Sequence, residues 1–223
     1  MRHVLVVKAR RGRAVLPIVL GIVVVGLLFC GGAGYLWERS VWQAREAVSR
    51  NNLKSIAIAL SDYHGKYGEF PPAYVADAEG KPMHSWRTLL LPFLFQGYLY
   101  DEYDWEQPWN STQNKSLCEM PLFSYEDPLR GFNDDSLTTY KMIVSDPPAS
   151  EPNAVAMVVA DYSNPVPWYQ PEDILANDFV NGKMFENAPY PRVMVVLANG
   201  DVEITQLEDK RQRNDWLPKP VED

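Results

Sequence analysis

The sequence predicts an α+β protein in which a long N-terminal helix, first transmembrane and then amphipathic, packs on an antiparallel β-sheet with long loops. Three observations carry this expectation. An uncharged run covers Ala14 to Trp37, a proline-free segment with helical spacing of apolar groups continues to Tyr67, and beyond Pro72 the apolar residues gather into short β-branched runs bounded by turn formers.

Val15 to Phe29 is nearly all Val, Ile and Leu, and the uncharged run is long enough as a helix to cross a hydrocarbon core of about 30 Å. Five basic groups (Arg2, Lys8, Arg10, Arg11, Arg13) precede the first acid, Glu38. The positive-inside rule then places the N-terminus in the cytoplasm and the rest of the chain outside. The competing reading is a removable signal peptide, but the stretch exceeds the usual apolar region of such a signal and lacks a clear small-x-small cleavage site. Beyond residue 37 the chain holds 16 basic and 29 acidic groups. A domain of that charge is repelled by phosphate backbones, so nucleic acid is excluded as a partner. Cys30 falls in or near the span and Cys118 in the exported part, which argues against an intrachain disulfide.

The amphipathic half of the helix has a stripe of Leu53, Ile56, Ala57, Leu60 and His64, with Tyr63 and Tyr67 beside it. Arg45, Arg50, Lys54, Asp62 and Lys66 mark the solvated side. Gly68 stands where a left-handed cap belongs, and Pro71-Pro72 forbid continuation. A short extended piece at 73–76 and a polar turn at 77–82 follow, and then His84 to Leu94 reads as a short helix kinked or ended at Pro92. The segment from Tyr98 to Trp109 reads as an aromatic loop, with Ser111 capping a helical turn that reaches Cys118. Thr138–Val144 and Ala154–Asp161 read as strands, the second lacking alternation and so covered on both faces. A proline-punctuated excursion runs from Asn164 to Pro191. Val193–Leu197, Asn199-Gly200 and Val202–Thr205 then give the strongest hairpin signal. The tail from Glu208 is polar, with Trp216 its one large apolar group.

Several groupings recur in an order that resembles a known family. These are Asn51-Asn-Leu-Lys, Ala59-Leu-Ser-Asp-Tyr-His64, Tyr67-Gly-Glu-Phe-Pro-Pro72, Gly80-Lys-Pro-Met-His-Ser-Trp-Arg87, Leu91-Pro-Phe-Leu94, Pro108-Trp109, Val166-Pro-Trp168, Pro171-Glu-Asp173 and Leu197-Ala-Asn-Gly-Asp-Val202. Together they resemble the planctomycete-expanded family called domain of unknown function fifteen fifty-nine, whose members look like type IV pilins or type II secretion pseudopilins. The resemblance implies a pilin-like build: residues 1–13 a cytoplasmic basic N-terminus, 14–37 the span, 38–207 the exported domain, 208–223 the tail. Pilin precursors carry a cleaved glycine with a glutamate at the fifth position after it. Here Arg13 follows Gly12 and Pro17 takes the fifth position, so the processing signature is missing. The resemblance also implies that Ser49 and Tyr125 replace a cysteine pair and lie close together.

Candidate chemistry has a bland counterpart at each position. His64 reads as a packed helix histidine, and His84-Ser85-Trp86-Arg87 as a cap, a core ring and an ion-pair partner, since adjacent His and Ser do not make a triad. The acids Asp101, Glu102, Asp104 and Glu106, and Asp134, Asp135, Glu172, Asp173 and Asp178, invite calcium but show no EF-hand spacing. No catalytic residue, cofactor or metal is therefore assigned. The expected function is a non-enzymatic, membrane-anchored structural or interaction protein of the cell envelope, a single-pass inner-membrane protein. Its partners are membrane lipid through residues 14–37 and an envelope protein or a second copy of itself. The alternative is an exported glycan- or polymer-binding module. In either case the candidate interaction surface is Tyr98, Tyr100, Tyr103, Trp105, Trp109, Trp168 and Tyr169, while core and loop packing is the default reading for the dense set from Tyr98 to Trp109.

Overall fold

The computed structural model describes residues 15–130, 136–144, 158–182, 192–196 and 202–206. The basic N-terminus, the turn at Asn199-Gly200, Asp134, Asp135 and the tail with Trp216 lie outside them. Among the described residues the protein is α+β, with one long N-terminal helix and small sheets. The chain divides into two units, 1–44 and 45–223, and the helix α1 (Val15–Tyr67) runs across the boundary.

In the first unit the helix has no other element beside it among the described residues. Its described side chains from Val19 to Ser40 are exposed, Tyr35, Leu36 and Trp37 among them. Length and composition suit one membrane span, and a signal sequence meets the same test.

In the second unit α1 supplies the core. Ser49, Leu53, Ile56, Ala57 and Leu60 recur at spacings of three and four and are at most 4 % exposed. This buried stripe ends at Leu60. His64, expected to extend it, is exposed, with its ring tilted against that of Phe70, 4.8 Å between centroids. The last turn of the helix is covered instead by Phe93, against Tyr63 and Tyr67. Gly68 closes the helix with φ +83 and an N–H to His64 O of 2.8 Å, as its position predicts.

The expected helix from His84 to Leu94 is broken up. Strand β1 (Tyr74–Ala76) pairs antiparallel with β2 (Pro82–Ser85), because Asp77 closes the intervening turn by accepting from Glu79 N and Lys81 N. Ser85 ends β2 and caps α2 (Trp86–Leu89) through Arg87 N, and Pro92 lies in a separate 3-10 turn, Leu91–Leu94. The segment read as an aromatic loop contains a helix, α3 (Gly97–Glu102). Ser111 caps α4 (Thr112–Cys118) as expected.

The main sheet is mixed. Strands β4 (Tyr140–Val144), β5 (Val158–Ala160), β8 (Arg192–Val196) and β9 (Val202–Gln206) pair antiparallel in that order, while β7 (Ile174–Leu175) joins β4 in parallel. The expected antiparallel sheet is present in these four strands, and β7 adds one short parallel edge to it. The excursion from Asn164 is also not a plain loop. It holds β6 (Val166–Pro167), which pairs with β3 (Leu137–Thr138), then β7, then α5 (Ala176–Asn181). Strand β5 is buried throughout, as its unbroken apolar run predicts.

Candidate functional site

Strand β4 turns the N–H and C=O groups of Tyr140 and Met142 toward β7, but β7 begins only opposite Ile143. Buried backbone groups of this kind need partners. Two side chains supply them. Arg87 donates to Tyr140 O through Nε (2.9 Å) and Nη2 (2.7 Å), and Asp173 Oδ1 accepts from Met142 N at 2.8 Å. The guanidinium and carboxylate also pair directly, Nη2 to Oδ1 at 3.1 Å, with side chains 0 % and 5 % exposed. The pair thus extends the sheet edge by two side chains where the strand is missing.

The remaining valences are largely used. Arg87 Nη1 donates to Ser85 Oγ and Gln170 O, and Trp86 Nε1 donates to Asp173 Oδ1 at 2.9 Å. Tyr125 OH donates to Arg87 O, so the loop before Asp127 is tied to α2. Burial works against both charges, lowering the guanidinium's hold on its proton and raising the carboxyl above the usual range, while each partner opposes the shift. The blocks His84-Ser-Trp-Arg87 and Pro171-Glu-Asp173, separate in sequence, therefore meet as one ionic knot.

A second buried ion pair is made by Lys141, whose side chain leaves β4 on the face opposite those of Tyr140 and Met142 because side chains alternate along a strand. Lys141 Nζ reaches Asp161 Oδ2 at 3.1 Å and Glu172 Oε1 at 3.6 Å. Sequence reasoning passed over Lys141. The available signal was a lone cation inside an apolar strand, which demands a buried partner. Asp127 was missed as well. It accepts from Thr139 Oγ1 at 2.6 Å and Leu129 N at 3.1 Å, also bonds Ser49 and Tyr162, and has its carboxyl pushed up by burial. Ser49 in turn shares a 2.7 Å bond with Tyr140 OH, and Asn52 donates to Phe123 O and Glu126 O. Helix α1 is thereby tied to the loop carrying Tyr125, and Ser49 and Tyr125 are both buried.

His84 is 3 % exposed, with Nε2 3.0 Å from Trp105 O and Nδ1 3.1 Å from Tyr103 OH. A carbonyl only accepts, so Nε2 carries the proton and Nδ1 accepts from the tyrosine. Burial lowers the histidine's pKa, so it folds as the neutral ring. Stability from this group is fully present above the unfolded value of about 6.5 and is lost as pH falls through it toward the lower folded value. A His84→Gln variant is expected to flatten the decline of melting temperature on acidification below about pH 6.5, measured beside the parent chain.

The candidate surface aromatics divide. Tyr103, Trp168 and Tyr169 are 3 %, 1 % and 4 % exposed and belong to the core, which corrects their assignment to a surface. Trp168 stacks on Tyr125 at 5.9 Å and Tyr103 packs on Trp105. Trp105, Trp109 and Tyr100 are half-buried, and Tyr98 is exposed. Phe95, which the sequence did not single out, is 96 % exposed. Among the described residues no three His, Cys, Asp or Glu side chains converge to hold a metal. Cys118 is a buried free thiol pushed up to about 12 by burial. It is expected to resist iodoacetamide at about pH 8 in the native protein and to be labelled on unfolding, read by peptide mass spectrometry.

No curated protein and no solved structure matches the chain. The model of a family described as "Protein of unknown function (DUF1559)" matches residues 42–194, a span that takes in both blocks of the ionic knot. The chain belongs to that family of proteins of unknown function.

Proposed function

We propose that the protein is a membrane-anchored, non-catalytic structural or interaction protein of the cell envelope, built like a pseudopilin. The span is residues 14–37, the N-terminus is cytoplasmic and the domain faces the exterior. The observation that carries this reading is how the polar residues are spent. Arg87, Asp173, Lys141, Asp161 and His84 are bonded to one another or to the backbone inside the domain, while exposed Phe95 and Tyr98 are apolar. Groups committed to holding strands and loops serve a scaffold, and exposed aromatic rings serve contact.

A family membership over residues 42–194 and an uncharged helical run preceding it are compatible with an anchored envelope protein. The experiment is membrane fractionation with an alkaline carbonate wash, protease accessibility from each side, and crosslinking in intact membranes. The expected result is the full 25.4 kDa chain in the washed membrane, with the domain cleaved only from outside and crosslinked neighbours recovered. A shortened, soluble chain would show a cleaved signal sequence and sink the anchored reading.

A further inference from the structure

Three exposed aromatic residues of the domain, Tyr67, Phe95 and Tyr98, lie at the C-terminal end of α1, on the turn after Leu94 and in α3. The backbone of Phe95 is left-handed, φ 60 and ψ 27, a conformation a bulky side chain rarely adopts, and its ring is 96 % exposed. The turn is nonetheless firmly bonded, with Gln96 N to Leu91 O at 2.9 Å and Leu99 N to Gln96 O at 3.1 Å. The left-handed backbone closes the 3-10 turn, since the N–H of Phe95 also returns to Leu91 O, but the exposed ring itself adds nothing to that closure. Tyr98 is 56 % exposed on the adjoining turn of α3, and Tyr67 is 50 % exposed at the end of α1.

The charges around these rings select among partners. Lys66 Nζ lies 5.0 Å from the Tyr67 ring centroid and 5.7 Å from that of Phe93, so these faces already receive an ammonium group. Tyr100 lies within electrostatic range of Tyr67, Lys66 and Asp101, and Tyr63 within range of Glu69. Asp101 and Glu102 are exposed on α3, and Asp62 and Glu69 are exposed at the end of α1. The end of α1 and α3 thus carry four exposed acids, Asp101 next to Tyr100 and Glu69 within range of Tyr63, against one lysine that already lies on the rings. That combination repels anionic lipid and phosphate and attracts guanidinium and ammonium groups, which gain both the ring quadrupole and the carboxylates.

We infer that this aromatic and acidic patch is a docking surface for an arginine- or lysine-bearing segment of a partner protein. The inference rests on the interaction-protein reading above and names the chemistry of its partner. Binding is measured with the full-length chain in detergent micelles, so the outcome does not depend on how the chain is anchored or processed. The probe is a short fluorescent peptide of alternating arginine and glycine, with a glutamate counterpart and a neutral glucan oligosaccharide as comparisons.

The arginine peptide is expected to bind, more weakly as salt rises, and the glutamate peptide and the glucan are not. The pair Asp101→Asn with Glu102→Gln, and separately Phe95→Gly with Tyr98→Ala, are each expected to weaken it about tenfold. Glycine at 95 relaxes the left-handed backbone, so that variant keeps its fold. Glu79→Gln with Glu119→Gln removes the same charge from exposed sites elsewhere and is expected to leave binding within about twofold. Equal loss in that control would reduce the effect to bulk charge and overturn the assignment. So would binding of the glucan in place of the peptide, or no peptide binding at all.

Discussion

Replacing Arg87 with alanine is expected to destabilise the domain by about 3–5 kcal/mol, the range for removing one partner of a buried, hydrogen-bonded ion pair. The side chain is fully buried and donates to Tyr140 O, Ser85, Gln170 O, Glu172 O and Asp173. Its loss strands the Asp173 carboxylate in a site that already disfavours charge, and strips Tyr140 O of both its guanidinium donors. At roughly 2–4 °C per kcal/mol for a chain of this size, the melting temperature should fall by on the order of ten degrees. Arg87→Lys keeps the charge but not the planar fork, and is expected to recover only part of the loss. Asp173→Asn in the Arg87→Ala background should then cost little more, because the two residues act as a unit. Additive losses in a denaturant-melt double-mutant cycle would mean that the pair does not act as one knot.

Trp168→Ala is expected to cost about 3–5 kcal/mol, the range for emptying a buried aromatic site. The ring is 1 % exposed, stacks on Tyr125 with planes 18° apart, meets Tyr169 edge-on, and donates from Nε1 to Met120 O. Alanine would leave a cavity between the excursion after β5 and the loop before Asp127. Trp168→Phe should cost less, since a ring still fills most of the space while the indole donor is lost. A Trp168→Ala chain that unfolds within about 1 kcal/mol of the parent would place the ring at the surface after all.

These two residues show where reading the chain succeeds and where it stops. The stripe Leu53, Ile56, Ala57 and Leu60 was legible because helical spacing is a local property, and so were the caps at Gly68 and Ser111, which depend on one residue and its immediate neighbours. His64 lies on the same face by period and yet is exposed. Periodicity tells which residues share a face but not how far the covering layer extends. Likewise His84 to Leu94 contains good helix formers, but pairing with Tyr74–Ala76 claims its first residues for a strand. Pairing across the Asp77 turn outweighs a weak local preference.

The candidate site was half visible. Ser85 as a cap and Arg87 as an ion-pair partner were foreseen from the residues alone, but the partner was not, because Asp173 lies 86 positions away and is chosen by the edge that β4 leaves open. The sequence offered Trp168 and Tyr169 as candidate surface rings. Whether such a ring faces solvent or core is decided by what the rest of the chain lays over it, here the β3–β6 pairing and Tyr125. Phe95 is the converse, an unremarked residue in an apolar run, turned outward by one left-handed backbone angle.

What the linear order settled, then, was everything set by near neighbours and totals: an uncharged helical run at the N-terminus, the acidic balance of the domain, the helix stops and the α+β class. These follow from short-range sterics, hydrogen bonding and the transfer of apolar groups from water, each readable over a few turns of chain. Only the folded chain decided that the polar residues most suggestive of chemistry would neutralise one another inside it. Those pairings join residues tens of positions apart, and the low-dielectric interior makes a buried charge without its partner too costly to keep.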